Sequence, residues 1–331
     1  MASGFFSINK PSGISTFDLI RIIKKKTGIK KLGHAGTLYP FAEGVVVILV
    51  GQMTRIFDFF SLLPKTYRGF AEFGKKTDTL DITGKIIETA LLPDITTISE
   101  NINSFKGEIK QRPPAYSAVH VNGVRAYELA RKGLQPDLME KTITIHSIDI
   151  NSYQNNILDF ELTCSSGTYI RVFADDLAKK CNSAAYLTKL IRKSIGSFTL
   201  DNAVNAEKIT LENLIQPREG FDILDIPVFN VDNELGAKIL NGKNLILEKI
   251  KAEDYPDKII SFFTKTNDFL ALVDNSNLML KYLFVATGTS LCAGSQGGRN
   301  PARATGTSLC ADNPARATGT ESSAPCVQGI L

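Results

Sequence analysis

At 331 residues, with 43% hydrophobic and 22% charged residues, the chain has the composition of a globular protein with room for one large domain and a smaller one. No apolar run approaches the roughly 18–20 residues of a membrane-spanning helix, and the N-terminus lacks a signal peptide's basic start and long apolar stretch, so a cytoplasmic location is expected. The formal net charge of +4 is mild, too small by itself to argue for a nucleic-acid partner.

The first predicted element is an amphipathic helix. Ser15-x-x-Asp18 has the form of a capping box with Asp in place of Glu, Phe17, Ile20 and Ile23 follow at helical spacing, and Gly28 is a natural stop. Residues 1–31 carry seven basic residues (Lys10, Arg21, Lys24, Lys25, Lys26, Lys30 and Lys31) against the single acid Asp18. Such an arm suits phosphates; a solvated helix end would have the same composition.

A Gly-rich loop follows at 33–44, then a strand at Val45–Val50 and a short helix at Thr54–Leu62. Thr66–Phe73 reads as a strand and 77–84 as a polar loop. Ile98–Phe105 reads as a helix, and Pro113-Pro114 keeps 107–123 extended. Arg125–Lys132 reads as a helix stopped by Gly133, Thr142–Ile150 and Ile157–Cys164 as strands, and Thr168–Lys180 and Ala184–Leu190 as helices. The order lacks regular alternation, which favours an α+β fold over a doubly wound sheet.

Residues 235–285 change texture. Short β-like runs at Leu245–Glu248, Ile259–Thr264 and Phe269–Val273 predict a small β-rich C-terminal domain after a main domain at 1–234. From 286 the composition changes again: Ala-Thr-Gly-Thr-Ser-Leu-Cys-Ala occurs at 286–293 and at 304–311, and Asn-Pro-Ala-Arg at 300–303 and 313–316. A stretch without Lys or aromatic residues buries little, so residues 286–331 are expected to be a disordered, low-complexity tail. The five cysteines form no C-x-x-C pair and the three histidines share no ligand spacing, so no metal is expected.

Six segments carry a functional signature in order. They are Phe6-Ser-Ile-Asn-Lys-Pro-Ser-Gly13; Lys31-Leu-Gly-His-Ala-Gly-Thr-Leu38; Lys65-Thr-Tyr67 with Thr77-Asp-Thr-Leu-Asp81; Gln111-Arg-Pro-Pro-Ala-Tyr-Ser-Ala118 with the Val121–Gly133 stretch; Cys164-Ser-Ser-Gly-Thr-Tyr-Ile-Arg171; and Leu190-Ile-Arg-Lys-Ser-Ile-Gly-Ser-Phe198. Together they resemble the bacterial TruB family of tRNA pseudouridine-55 synthases. The loop Gly33-His-Ala-Gly-Thr-Leu-Tyr-Pro-Phe-Ala-Glu-Gly44 resembles the family's signature G-H-x-G-[ST]-L-D-P-x-A-x-G, with Tyr39 at the position of the catalytic aspartate.

The resemblance implies a mixed-sheet pseudouridine synthase domain and a reaction class. A uridine of the tRNA T-arm leaves its stack, its glycosidic bond breaks, and the base rejoins through C5. The product is an isomer, so no cofactor or metal is required, and a monomer is expected. By the same resemblance Tyr39, Tyr67 and Arg171 occupy the catalytic positions. Tyr67 would stack on the uracil with its hydroxyl near C5, and Arg171 would pair with the catalytic carboxylate. Lys10 and Lys31 would meet phosphates or brace the loop, His34 would seat the flipped nucleotide, Asp81 would orient pocket groups, Tyr169 would line the pocket, and Leu190 would form an apolar wall.

Each of these has a plainer structural alternative: surface solvation for the lysines, a buried loop histidine, a core tyrosine, a turn aspartate, and Arg171 in the first turn of a helix capped by Thr168. Tyr39 is a separate matter. A phenol with an ordinary pKa near 10 is ionised about once in a thousand at pH 7 and cannot occupy a carboxylate's volume. Glu43, four residues along the loop, lies several ångströms away on spacing alone. The alternatives to a working isomerase are a catalytically inactive protein that binds and remodels tRNA, and a degenerating gene product.

Overall fold

The computed structural model describes residues 2–117, 119–121, 123–241, 259–275 and 281–287. In chain order the elements are β1 Gly4–Lys10, α1 Thr16–Thr27, β2 Leu32–His34, β3 Glu43–Val50, α2 Phe57–Leu62, β4 Lys65–Phe73, β5 Lys75–Thr77, β6 Ile86–Thr89, α3 Ile95–Ile102, β7 Gly107–Gln111, β8 His120–Val121, β9 Val124–Arg125 and α4 Ala126–Arg131. Then follow β10 Lys141–Gln154, β11 Ile157–Cys164, α5 Ile170–Lys180, β12 Ala185–Ile195, β13 Phe198–Thr199, β14 Val204–Asn205, α6 Pro217–Ile223, β15 Val228–Val231, α7 Asn233–Leu240, β16 Ile259–Thr264, β17 Phe269–Asp274 and β18 Lys281–Val285.

Helix α1 starts where the sequence places it. Ser15 caps it in a reciprocal box with Asp18, and Gly28 ends it at φ 71°, a left-handed position that glycine takes without strain. Its buried stripe is Thr16, Leu19, Ile20, Ile23 and Thr27. Phe17, expected in that stripe, lies on the outer face and is 58% exposed.

The main sheet is mixed and runs β14-β1-β3-β12-β4-β11-β10-β7, with β2 paired to β3 and β13 to β12. Strand β3 is buried on both faces. Val46, Ile48 and Val50 enter a core with α1, while Val45, Val47 and Leu49 enter a second core with α2 and the C-terminal elements. That explains an apolar run without alternation. Helix α5 packs through Phe173, whose ring lies 5.3 Å from both Phe105 and Phe160.

Strand β12 corrects the helix expected at Ala184–Leu190. It pairs with β4 along Ala185–Ile195, with bulges between Leu187 and Lys189 and between Arg192 and Ser194. Each bulge inserts a residue and shifts the inward side by one, so the two-residue period is lost from the sequence. The central strand of the fold was therefore the least legible.

A second sheet, β15-β16-β17-β18, joins β15 in parallel to an antiparallel trio. It draws its first strand from before residue 235 and holds α7 against it. The run Leu245–Glu248 and residues 288–331 lie outside the described residues. An aromatic chain through Phe5, Phe221, Phe269 and Phe284 links this sheet to β1, with centroid steps of 5.9, 5.2 and 5.7 Å. The fold is α+β, as the mixed order of elements indicated.

Candidate active site

The loop between β2 and β3 is held from two directions. From one side, Gly13 N donates to Pro40 O at 2.7 Å, Ser12 Oγ donates to Phe41 O at 2.8 Å, and the buried Thr16 hydroxyl bonds both Leu38 O and Leu38 N. From the other, the wholly buried Arg192 of β12 donates from Nε to Val45 O at 2.7 Å, from Nη2 to Gly36 O at 3.1 Å and from Nη1 to Thr37 O at 3.3 Å. Gly44 permits this approach. Its φ is +111°, and a Cβ there would lie 2.3 Å from Arg192 O.

The loop thus fixed forms one wall of a cavity of about 240 Å³. Tyr39, Tyr67, Tyr169, Arg171, Leu190 and Arg192 line it, from the loop, β4, the start of α5 and β12. Five of the nine site residues read from the sequence therefore meet in one place, though they span more than 150 positions of chain.

Arg171 organises the floor. It is 3% exposed, and its Nη1 donates to Asp81 Oδ2 at 2.7 Å and to Thr79 O at 2.8 Å, while Nη2 donates to Tyr116 O at 2.8 Å. Its Cζ lies 4.1 Å from the centre of the Tyr39 ring, a cation–π contact. Its Nε is buried and, among the described residues, has no hydrogen-bond partner. A buried guanidinium donor without an acceptor is costly and uncommon.

Asp81 stands behind Arg171, not in the cavity. Its other oxygen accepts from Thr79 Oγ1, Thr83 N and Thr83 Oγ1. Asp78 accepts from Lys85 N at 2.8 Å, an ordinary turn contact.

Burial governs the phenols. It raises the Tyr39 pKa above the usual tyrosine value, against the opposing positive charge of Arg171. The phenolate fraction at position 39 is therefore smaller still than that of an ordinary tyrosine. Burial likewise raises Tyr67, opposed by Arg192, and pushes Tyr169 up to about 12. All three stay protonated at neutral pH.

Among the described residues no Asp or Glu lines the cavity. Glu43 bonds Lys189 at 2.9 Å and faces a separate cavity with Asn9 and Asn205. Three tyrosines and two arginines can hold a planar, uncharged or anionic ligand by stacking and hydrogen bonds. They offer no carboxylate to a reacting carbon.

The remaining sequence candidates lie apart. Lys10 is fully buried; its Nζ donates to Pro11 O and Ile14 O at 2.8 Å each, and burial, aided by the charge of Arg192, lowers its pKa to about 8. That geometry is the bracing role, not a solvent-facing cation for phosphate. Lys31 is exposed. His34 ends β2, accepts from Gly36 N on Nδ1 at 3.3 Å, and is held below its usual pKa by burial and by Arg192.

Arg192 stands in the Leu190–Phe198 segment but was not among the site residues read from the sequence; the structure places it on β12, against the loop. Sequence reasoning also missed Gln111, whose amide clamps both backbone atoms of Tyr169, accepting from N at 2.8 Å and donating to O at 3.1 Å. Thr168, read as the α5 cap, instead donates to Ser165 O, and the cap position is Tyr169 with no side-chain bond. Among the described residues no cluster of His, Cys, Asp or Glu could hold a metal ion, and no helix is long and apolar enough to cross a membrane.

Residues 24–170 match the TruB family pseudouridylate synthase N-terminal domain. A tRNA pseudouridine synthase B of Clostridium kluyveri is 35% identical over 281 residues, covering 84% of this chain and 97% of that protein. That of Clostridium tetani is 37% identical over 288 residues, covering 82% and 98%. The chain belongs to the TruB family of pseudouridine synthases.

A third TruB relative, from Protochlamydia amoebophila, is 42% identical over 216 residues, covering 64% of this chain and 82% of its own. Among solved structures, a chain of a Cbf5–Nop10–Gar1 complex superposes with a TM-score of 0.61 at 20% identity, covering 85% of each chain. At that identity the likeness concerns the pseudouridine synthase fold alone. The TruB family is one of isomerases, and this chain carries its scaffold through the whole mixed sheet.

Proposed function

We propose that this TruB-family chain receives uridine 55 of the tRNA T-arm, flipped out of its stack, in the cavity beneath residues 36–39. The reaction of the scaffold is isomerisation of that uridine to pseudouridine. In this chain the binding half of the site is intact and the reactive half is not. The observation that carries this reading is the cavity lining: Tyr39, Tyr67, Tyr169, Arg171 and Leu190 converge, and no carboxylate is among them.

Tyr67, Tyr169 and Leu190 supply flat and apolar surface for a base removed from its stack. Isomerisation breaks the N1–C1′ bond, forms C5–C1′, and moves the C5 proton to solvent while N1 regains one. The family chemistry needs a carboxylate as nucleophile or base near C1′ and C6. Here that position holds a neutral phenol stacked on Arg171. Loss of such a group lowers turnover by several orders of magnitude. The reading is of a monomer, and an isomerisation draws on no cofactor. A cytoplasmic location follows from the substrate.

The test pairs binding with chemistry. The purified chain is titrated with a T-arm stem–loop RNA and, separately, incubated with tRNA carrying tritium at uridine C5, which isomerisation releases to water. The expected result is saturable binding with little or no tritium release. Rapid release would overturn the impaired-enzyme reading, and absence of binding would overturn the tRNA reading.

A further inference from the structure

The first turn of α1 carries a feature that the cavity does not use. Phe17 is 58% exposed, and its ring stands edge-to-face against His34, with centroids 6.1 Å apart and planes at 84°. An isolated exposed phenylalanine is ordinary. This one is held in place. Thr16, its neighbour, is locked by its hydroxyl to both backbone atoms of Leu38, so the outer face of the first turn is fixed relative to the loop that walls the cavity.

Phe17 also sits at the head of a charged stripe. Arg21 follows at i+4 and Lys24 at i+7, on the same helical face, and both are exposed. Lys31, exposed, precedes the β2 strand that ends in His34. An aromatic pair with cations along one edge is the arrangement that receives an unstacked base and the phosphates on either side of it. An exposed ring beside a line of cations matches the alternating bases and phosphates of a strand of RNA.

We infer that Phe17, seated on His34, is a second stacking platform: it takes an unpaired base of the RNA loop neighbouring the nucleotide in the cavity, while Arg21 and Lys24 take its phosphates. The inference rests on the RNA-binding reading above and adds a binding residue on a different element. Phe17 supplies the exposed face, His34 fixes the ring from behind, and the Thr16 clamp sets the distance to the cavity.

The chain has no tryptophan, so Phe17→Trp installs a single reporter at the platform. Dissociation constants for a T-arm stem–loop are measured for the unaltered chain, Phe17→Ala, Phe17→Leu and Phe17→Trp, with a fully paired duplex of equal length as comparison. Stacking on one base corresponds to about a 5-fold to 150-fold change in affinity. The expected result is a loss in that range for the Ala and Leu variants, retention by the Trp variant with quenched fluorescence on saturation, and no spread among variants on the duplex. Thermal melting should be unchanged, because the side chain is exposed. Equal affinity of all variants for the stem–loop would overturn the inference, as would a Leu variant that binds like the unaltered chain, or unquenched tryptophan. If the unaltered chain binds no stem–loop at all, the RNA reading itself fails and takes this inference with it.

Discussion

Tyr39 lies with its ring 4.1 Å from the guanidinium carbon of Arg171. The two residues stack; they do not form an ion pair. The positive charge of Arg171 is met by Asp81 at 2.7 Å, and among the described residues its Nε has no acceptor. The same guanidinium faces a phenol that burial holds neutral.

The Asp81–Arg171 pair holds the floor of the cavity together. Both side chains are buried, at 4% and 3% exposure. Removing one partner of such a pair leaves an uncompensated charge and costs about 3–5 kcal/mol. Asp81→Ala is therefore expected to lower the urea midpoint by that equivalent. A change below about 1 kcal/mol would show that water or a rearranged Arg171 replaces the contact.

Lys10 predicts a pH dependence. Its pKa falls from the unfolded value of 10.5 to about 8 in the folded chain. Between those values the unfolded state binds the extra proton, so this residue makes stability rise with pH from about 8 to 10.5. The contribution is up to about 1.4 kcal/mol per pH unit. In urea titrations across that window, the unaltered chain should gain stability relative to Lys10→Gln as pH rises. A flat or falling difference would mean that the buried ammonium is not depressed.

Two glycines with positive φ separate strain from crowding. At Gly28 an added Cβ meets nothing within 4 Å, so Gly28→Ala should cost only about 1 kcal/mol of left-handed strain. At Gly44 the Cβ would meet Arg192 O at 2.3 Å and Arg192 N at 2.8 Å, both backbone atoms of the parallel neighbour. Gly44→Ala should therefore cost at least twice as much in melting experiments and loosen the loop that carries Tyr39. Equal costs at the two positions would contradict the close β3–β12 approach.

Local signals in the sequence translated directly into structure: the Ser15 cap, Gly28, the Ile157–Cys164 strand and the apolar β3 run stand where they were expected. The motif residues of the cavity were legible because each sits in a short conspicuous segment. What failed was non-local. The β12 bulges erased the strand period, and Arg192, on that strand, was not among the site residues read from the sequence. For Lys10 the sequence left phosphate contact and loop bracing open, because it shows charge and not burial; its buried contacts to Pro11 O and Ile14 O have the bracing geometry. Ile20 and Ile23 pack as their spacing indicates, whereas Phe17, at the same spacing, lies on the outer face.

The central claim is that the scaffold binds and position 39 decides the chemistry. It is tested most directly by measuring tritium release from C5-labelled tRNA for the unaltered chain, Tyr39→Phe and Tyr39→Asp at matched protein and RNA concentrations. The account predicts negligible release by the first two and release at least about a thousand-fold faster by Tyr39→Asp, with similar RNA affinity for all three. Release by the unaltered chain at the rate of Tyr39→Asp would contradict it.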